Sequence, residues 1–398
     1  MKEAAAVDLP LAGARVLDLS RALAGPYCAQ TLSDLGAEVI KIEQPDRQDE
    51  MRGWPPFHGE LATYFAVANR NKRCMTLDLK QAAGLAIFRK LASTADVVVE
   101  NFRNGVTEAL GIGFEDLKKI NPRIVLCSVR GYGKGPHENR PAYDAAMQAF
   151  TGIMSVTGDP KGEVQRAGVA VVDFSSGLYA ACGVLAALRK RDRTGNGAHV
   201  EVTLVDSGIS VMAYQLVTYL ATGRVMQRAG TTHPAMVPCR VFRTGDGRDI
   251  LVVITNNEQF ASLCGVLGHA EWIADARFAS PGSRVDRREE MHELVQAELM
   301  KHAAAHWMAA FDRHAVPYSP VNRVDDLAAD PVFRERLLGS VPWRDGQLQL
   351  VRSPIMIDGE VLPMRSGPPG HGEHTQSVLE ELGLGAQEIE KLRDDGIV

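Results

Sequence analysis

The 398-residue chain has no large basic excess; lysine and arginine number 44 against 49 aspartates and glutamates, a formal net charge of -5. That argues against a nucleic-acid protein and requires any anionic ligand to be met by a local cluster of cations. No CxxC pair occurs among the six scattered cysteines (Cys28, Cys74, Cys127, Cys182, Cys239, Cys264). Reduced thiols in a cytoplasm fit this spacing better than a disulfide frame or a zinc site. The apolar part of Met1–Asp8 is too short, and the segment too acidic, for a signal peptide. No apolar run reads as reaching the roughly 18 residues that span a bilayer. Repeats and low-complexity segments are missing, and so is the dinucleotide fingerprint GxGxxG, which weakens a nicotinamide or flavin reading.

What is present is a large apolar fraction, 45% hydrophobic against 23% charged, enough to build two or three domains with a sizeable core. Arg15 to Leu19 reads as a buried strand, Pro26 to Leu35 as a helix ended by Gly36, and Glu38 to Glu43 as a second strand. Strand, helix, strand in about 30 residues is a βαβ unit and starts a parallel sheet. Further strands are expected at Met75–Leu79, Ala95–Val99, Arg123–Val129 and His199–Leu204, with a helix at Gln81–Ser93 and a long one at Val205–Ala221. Gly223 to Pro238 then leaves the first domain. A strand at Ile250–Ile254, a helix starting at Asn256–Phe260, mostly helical sequence over Arg287–Ala310 and an extended Val316–Asn322 make up a smaller one.

The stretch Gly168-Val-Ala-Val-Val-Asp173-Phe-Ser-Ser-Gly177 organises the chain. Small and apolar residues run into one carboxylate at the start of an amphipathic helix that Arg189-Lys-Arg191 closes. The free N–H groups and partial positive charge of a helix start favour an ionised carboxylate there. On this stretch alone, an N-cap is the commoner job for Asp173. Other candidates are the cations of Asn69-Arg-Asn-Lys-Arg73, either a solvated turn or a phosphate contact. Phe102 and Arg103 sit in the loop after a strand, where open parallel sheets bind ligands. They would stack on a base or hold a phosphate.

Taken in order, Val16-Leu-Asp-Leu19, Ala24-Gly-Pro26, Leu35 to Glu43, Asn71-Lys-Arg73, Leu77-Asp-Leu79 and Glu100-Asn-Phe-Arg103 form a pattern. Gly131-Tyr-Gly133, Arg140-Pro-Ala-Tyr-Asp144, Asp173, Thr194-Gly-Asn-Gly197 and Gly372-Glu-His-Thr375 continue it. The pattern resembles the class III CoA-transferases, the group that contains formyl-CoA transferase and the 2-methylacyl-CoA racemases. The resemblance implies an α/β fold with a Rossmann-like large domain built from both chain ends, a smaller α+β domain, and an interlocked homodimer. On that basis 1–204 is the first part of the large domain, 205–224 a linker helix, 225–325 the small domain, and 326–398 the return linker and last part of the large domain.

The resemblance also implies a cytoplasmic enzyme with no permanently bound cofactor and no metal, whose substrates are a coenzyme A thioester and a small carboxylate. No nucleic-acid or membrane partner is expected. Asp173 would be the nucleophile, with the N–H groups of Ser175, Ser176 and Gly177 supporting an oxyanion. Coenzyme A contacts carry over to Leu23, Ala24, Leu77, Asp78, Lys80, Asn101, Phe102, Arg103 and Tyr143. Gln44 and Ala109 stand where many members have arginines, and Asn104 replaces a common proline, so Lys72, Arg73 and Arg103 are the expected compensating cations.

In racemases of the group a histidine moves the α-proton; here Tyr143 occupies that place. Tyrosine, with a pKa of roughly 10, is a poor proton shuttle at neutral pH, and His137 is out of register, which favours the transferase. The asparagine-rich segment from Asn256 and the segment from Val316 to Asn322 look like members using succinyl-CoA and a dicarboxylate. Arg166, Arg228 and Arg240 are the candidates for its distal carboxylate. A formyl/oxalate transferase is the second alternative, disfavoured by a missing glycine run at Gly230–Pro234, and a non-catalytic CoA-binding protein the third.

Overall fold

The computed structural model describes residues 9–344 and 346–398, so the leader reading of Met1–Asp8 lies outside the described residues. Six strands form one sheet: β1 (Arg15–Asp18), β2 (Glu38–Glu43), β3 (Lys72–Thr76), β4 (Val97–Glu100), β5 (Val125–Arg130) and β6 (Ala198–Thr203). Their order across the sheet is β3-β2-β1-β4-β5-β6, and every pairing is parallel. Parallel strands need both faces covered, which explains the apolar runs of the central strands β1, β4 and β5. On one face pack α1 (Ala24–Asp34) and α4 (Val171–Thr194) around Val16, Val97, Val125 and Val184. On the other lies α2 (Ala82–Ala92), joined by Val378, Leu379 and Ile389 from helices near the C-terminus.

The chain divides into two compact units. One comprises 9–153, 167–223 and 331–398; the other comprises Met154–Arg166 and Arg224–Asp330. The sequence boundaries had assigned the first of those two segments to the large domain. The second unit has a three-stranded antiparallel sheet, Cys239–Arg243, Asp249–Val253 and Tyr318–Pro320, over a helical core that includes Phe260, Trp272 and Phe311.

Three local expectations are corrected. The helix expected over Val205–Ala221 is broken into α5 (Leu204–Val211) and α6 (Ala213–Thr222), bent by 67°. The strand expected at Met75–Leu79 ends at Thr76 and begins at Lys72, so Lys72 and Arg73 lie within β3 and Arg70 just before it. Finally, α4 is by length and composition apolar enough to cross a bilayer, yet 44% of its most apolar window is buried inside the fold against α1 and the sheet.

Charge is buried under the β1 and β2 ends. Lys72 Nζ donates to Asp18 at 2.8 Å and to Asn69 and the Pro26 carbonyl. Lys41 Nζ donates to Asp49 at 2.9 Å and to the Ser20 carbonyl at 2.8 Å, with both side chains of that pair fully buried. Burial pulls the Lys41 ammonium down, but Asp49, Asp18 and Glu43 outweigh it and leave its pKa above the usual value. Removing one member of such a pair strands the other. Lys41→Met is therefore expected to cost about 3–5 kcal/mol in chemical denaturation. Arg15→Met, which breaks a partly exposed pair with Glu38, should cost less than about 1 kcal/mol. Equal losses would show that the buried pair has no special weight.

Candidate active site

In an open parallel sheet the crevice lies beyond the strand ends where the strand order reverses, here between β1 and β4. A cavity of about 330 Å³ lies there, lined by Arg21–Leu23 after β1 and Ala24 at the start of α1, by Asn101–Asn104 after β4 and by Val129–Gly131 at the end of β5. Glu50, Glu138, Arg140 to Tyr143, Leu204 and Asp173 complete it. A second cavity of about 210 Å³ is lined by Leu77, Leu79, Lys80, Val106 and Leu110, with Gln44 and Arg47. Arg21 and Phe102 line both.

Asp173 is the third residue of α4, and it is not the cap. The residue at the cap position, Ala170, offers no side-chain acceptor. The cap comes from α3 (Asp144–Phe150): Asp144 Oδ1 accepts from the backbone N–H of Val172 at 2.8 Å and of Asp173 at 3.2 Å. Asp144 thus satisfies the amides that a capping side chain at position 170 would have served, and the Asp173 carboxylate lies at the cavity wall. Burial raises its pKa to about 7, and the neighbouring Asp144 charge pushes the same way.

Ser175, Ser176 and Gly177 do not fit the expected oxyanion role. They are the fifth to seventh residues of α4, past the turn whose N–H groups are free, and both serine hydroxyls donate back to the Val172 carbonyl. The smallness of Gly177 has a different cause: a Cβ there would stand 2.7 Å from the Ala24 carbonyl oxygen. Glycine thereby lets α1 and its leading loop approach α4.

Of the residues singled out in the sequence, Leu23, Ala24, Asn101, Phe102, Arg103, Tyr143 and Asp173 share the larger cavity, and Leu77 and Lys80 line the smaller one. Asn101 clamps the β1 loop: its Oδ1 accepts from the Arg21 N–H at 2.9 Å and its Nδ2 donates to the Arg21 carbonyl at 2.8 Å. The Asp78 backbone N–H bonds the Ile397 carbonyl, and its carboxylate accepts from the Lys80 N–H; it lines neither cavity.

Lys72 and Arg73 are corrections. The Lys72 ammonium is buried on Asp18. The Arg73 guanidinium bridges Glu38 and Glu381 and also reaches Ser377, on the far edge of the sheet. Neither faces the two cavities. Arg166, Arg228 and Arg240 all belong to the second unit, where Arg228 donates to the Asp159 and Gly162 carbonyls. Asn256 caps the helix Asn257–Leu267 by accepting from the Gln259 N–H. His137 packs between the Tyr132 and Phe150 rings and lines neither cavity. Sequence reasoning missed Arg21 and Arg47. Their isolation in loops gives no cluster to notice, although Arg21 does directly follow a strand.

A six-stranded parallel sheet with a ligand-sized cavity and a carboxylate at its switch point defines an α/β enzyme scaffold. The sequence profile of CoA-transferase family III matches residues 11–375. A succinate–glutarate CoA-transferase of Agrobacterium fabrum is 39% identical, the match covering 94% of this chain and 96% of that protein. An acetyl-CoA:oxalate CoA-transferase of Acetobacter aceti is 36% identical over 94% of this chain and 96% of its own length. The crystal structure of a CAIB/BAIF family protein from Brucella suis superposes with a TM-score of 0.85 at 37% identity, covering 94% of this chain and 99% of that one. The chain belongs to CoA-transferase family III and is an enzyme of that class.

Because the folded-state pKa of Asp173 is raised, its ionisation opposes folding. The penalty is absent below its ordinary value of 3.8 and fully present above about 7. Asp173→Asn should therefore raise stability at alkaline pH, by at most roughly 4 kcal/mol, and leave it unchanged in acid. Any step that needs the carboxylate ionised gains rate as pH rises through about 7. Asp144→Asn keeps the capping oxygen and removes the like charge, so the rate midpoint should move to lower pH. An unmoved pH–rate midpoint would show that Asp144 does not tune Asp173.

Proposed function

We propose that the enzyme moves coenzyme A from an acyl-CoA, succinyl-CoA in the first instance, to a small dicarboxylate, with Asp173 as the covalent nucleophile. The observation that carries this reading is the Asp173 carboxylate. It is relieved of capping by Asp144 and lines the cavity at the strand ends. The relatives that act on succinyl-CoA and glutarate by name support the substrate class.

An Asp173 oxygen attacks the thioester carbonyl, the C–S bond breaks, and coenzyme A leaves as thiolate from a mixed anhydride. The thiolate then attacks the aspartyl carbonyl, giving an aspartyl thioester and releasing the donor acid. The acceptor carboxylate displaces the thiolate to form a second anhydride. The thiolate returns to the acceptor carbonyl and Asp173 is regenerated. The energy of the first thioester is kept only if water is excluded from the anhydrides. The nucleotide end of the coenzyme is assigned to the smaller cavity, where Leu77, Leu79 and Phe102 supply apolar walls.

The racemase reading needs a proton shuttle beside Asp173. The cavity offers Tyr143, and His137 is engaged in an aromatic cluster away from it. Both points support transfer over racemisation.

The protein is further read as a cytoplasmic, interlocked homodimer. Among the described residues all six cysteines are free thiols, as a reducing compartment requires. Helix α6 buries none of its residues and exposes Tyr214, Val217 and Leu220, the last at 72%, an apolar face that a second copy would cover. Light scattering should therefore give twice the chain mass; a monomer at micromolar concentration would contradict the dimer.

Intact-protein mass after brief mixing with succinyl-CoA should reveal an adduct on the unaltered enzyme and none on Asp173→Ala. A panel of dicarboxylates should then give one new CoA thioester. Absence of any adduct, together with α-deuterium uptake from heavy water into a 2-methylacyl-CoA, would reject transfer in favour of racemisation.

A further inference from the structure

Positions 44 and 109 carry glutamine and alanine, and Lys72 and Arg73 are engaged with carboxylates away from the cavities. A phosphorylated ligand therefore needs other cations, and besides Arg103 and Arg140 at the larger cavity and Lys80 at the smaller one, two arginines stand out. Arg21 is the arginine that lines both cavities, and Arg47 lines the smaller. The Arg21 backbone is fixed on both sides by Asn101, and the next amide, Ala22 N–H, donates to Asp49 at 3.2 Å. Among the described residues its guanidinium has one hydrogen bond, to Gln44 Oε1 at 3.4 Å. Arg47 lies close enough for its charge to act on Arg21, and neither makes an ion pair among the described residues.

Two nearby acids are already neutralised, Asp49 by Lys41 and Glu43 by Arg52; Glu50 stands at the larger cavity. Burial, first, and the Arg47 charge lower the Arg21 pKa, against the opposing pull of Asp49, Glu43 and Glu50. Two guanidinium groups that line one cavity and make no ion pair among the described residues suit an anion.

Coenzyme A has an apolar base at one end, a thiol at the other and phosphates between. With the thiol at Asp173 and the base among Leu77, Leu79 and Phe102, the diphosphate passes the junction of the cavities, where Arg21 stands. The ribose phosphate stays in the smaller one with Arg47. We propose that Arg21 binds the diphosphate and Arg47 the 3′-phosphate of coenzyme A, replacing the cations lacking at positions 44 and 109. This rests on the coenzyme A reading given above.

Calorimetric titration of the full chain with CoA and with 3′-dephospho-CoA tests it. Arg47→Gln should weaken CoA by roughly ten- to a hundredfold and leave dephospho-CoA unchanged, erasing the preference between them. Arg21→Gln should weaken both ligands alike, by about tenfold or more, with Arg21→Lys recovering part of the loss. Arg123→Gln removes the same charge from an exposed position away from either cavity and should change neither affinity. If Arg47→Gln weakens both ligands equally, or neither, the assignment is overturned. An unaltered chain that binds no CoA at all would overturn the coenzyme A reading itself.

Discussion

The first turn of α4 must have its amides satisfied, and the arrangement of the larger cavity follows from how that is done. The acceptor is Asp144, reaching across from α3 to two successive N–H groups. Had Asp173 done this work itself, its carboxylate would be held against its own helix with a depressed pKa, a stable cap and a poor nucleophile. With the cap supplied from outside, Asp173 keeps its oxygens for the cavity and feels the Asp144 charge as repulsion. The oxygen that caps α4 thus adds to the effect of burial in raising the Asp173 pKa. The cost is a carboxylate that is unstable when ionised, the usual compromise of stability at a reacting centre.

A second constraint fixes the opposite wall. The loop Arg21–Leu23 carries no regular structure, and Ala22 has a positive φ of 59°, a conformation that must be imposed from outside. Asn101 grips Arg21, Asp49 grips Ala22, and Lys41 ties Asp49 to the Ser20 carbonyl. Gly177 lets α4 close on Ala24 from behind. Buried charges that contribute little net stability can still define one conformation of a loop. Here they link the core beneath β1 and β2 to the wall that a substrate would touch.

The sequence made the parallel sheet legible where buried strands are apolar runs, as at Val97–Val99, and Glu38–Glu43 is a strand with the expected bounds. The candidate site was legible in part, since Asp173, Phe102, Arg103 and Tyr143 reach one cavity from segments that stood out on their own. What escaped was pairing over distance. Lys72 looks like a phosphate cation until Asp18, 54 residues earlier, is seen to bury it. Asp144 looks like an ordinary helix start until its oxygen is found on α4, and local pattern carries no trace of either contact. The break at Met212 was hidden for a different reason, because the apolar run continues through it.

The central claim is that the Asp173 carboxylate becomes covalently bonded in each turnover. Heavy-oxygen labelling tests it directly. An acceptor acid carrying heavy oxygen in its carboxylate is turned over with succinyl-CoA in ordinary water, and the peptide containing Asp173 is then weighed. When coenzyme A attacks the second anhydride at the acceptor carbonyl, the bridging oxygen stays with the aspartate. Heavy oxygen is therefore expected on Asp173 and, in later turnovers, on released succinate. Thioester formed on the acceptor while Asp173 remains unlabelled would contradict it.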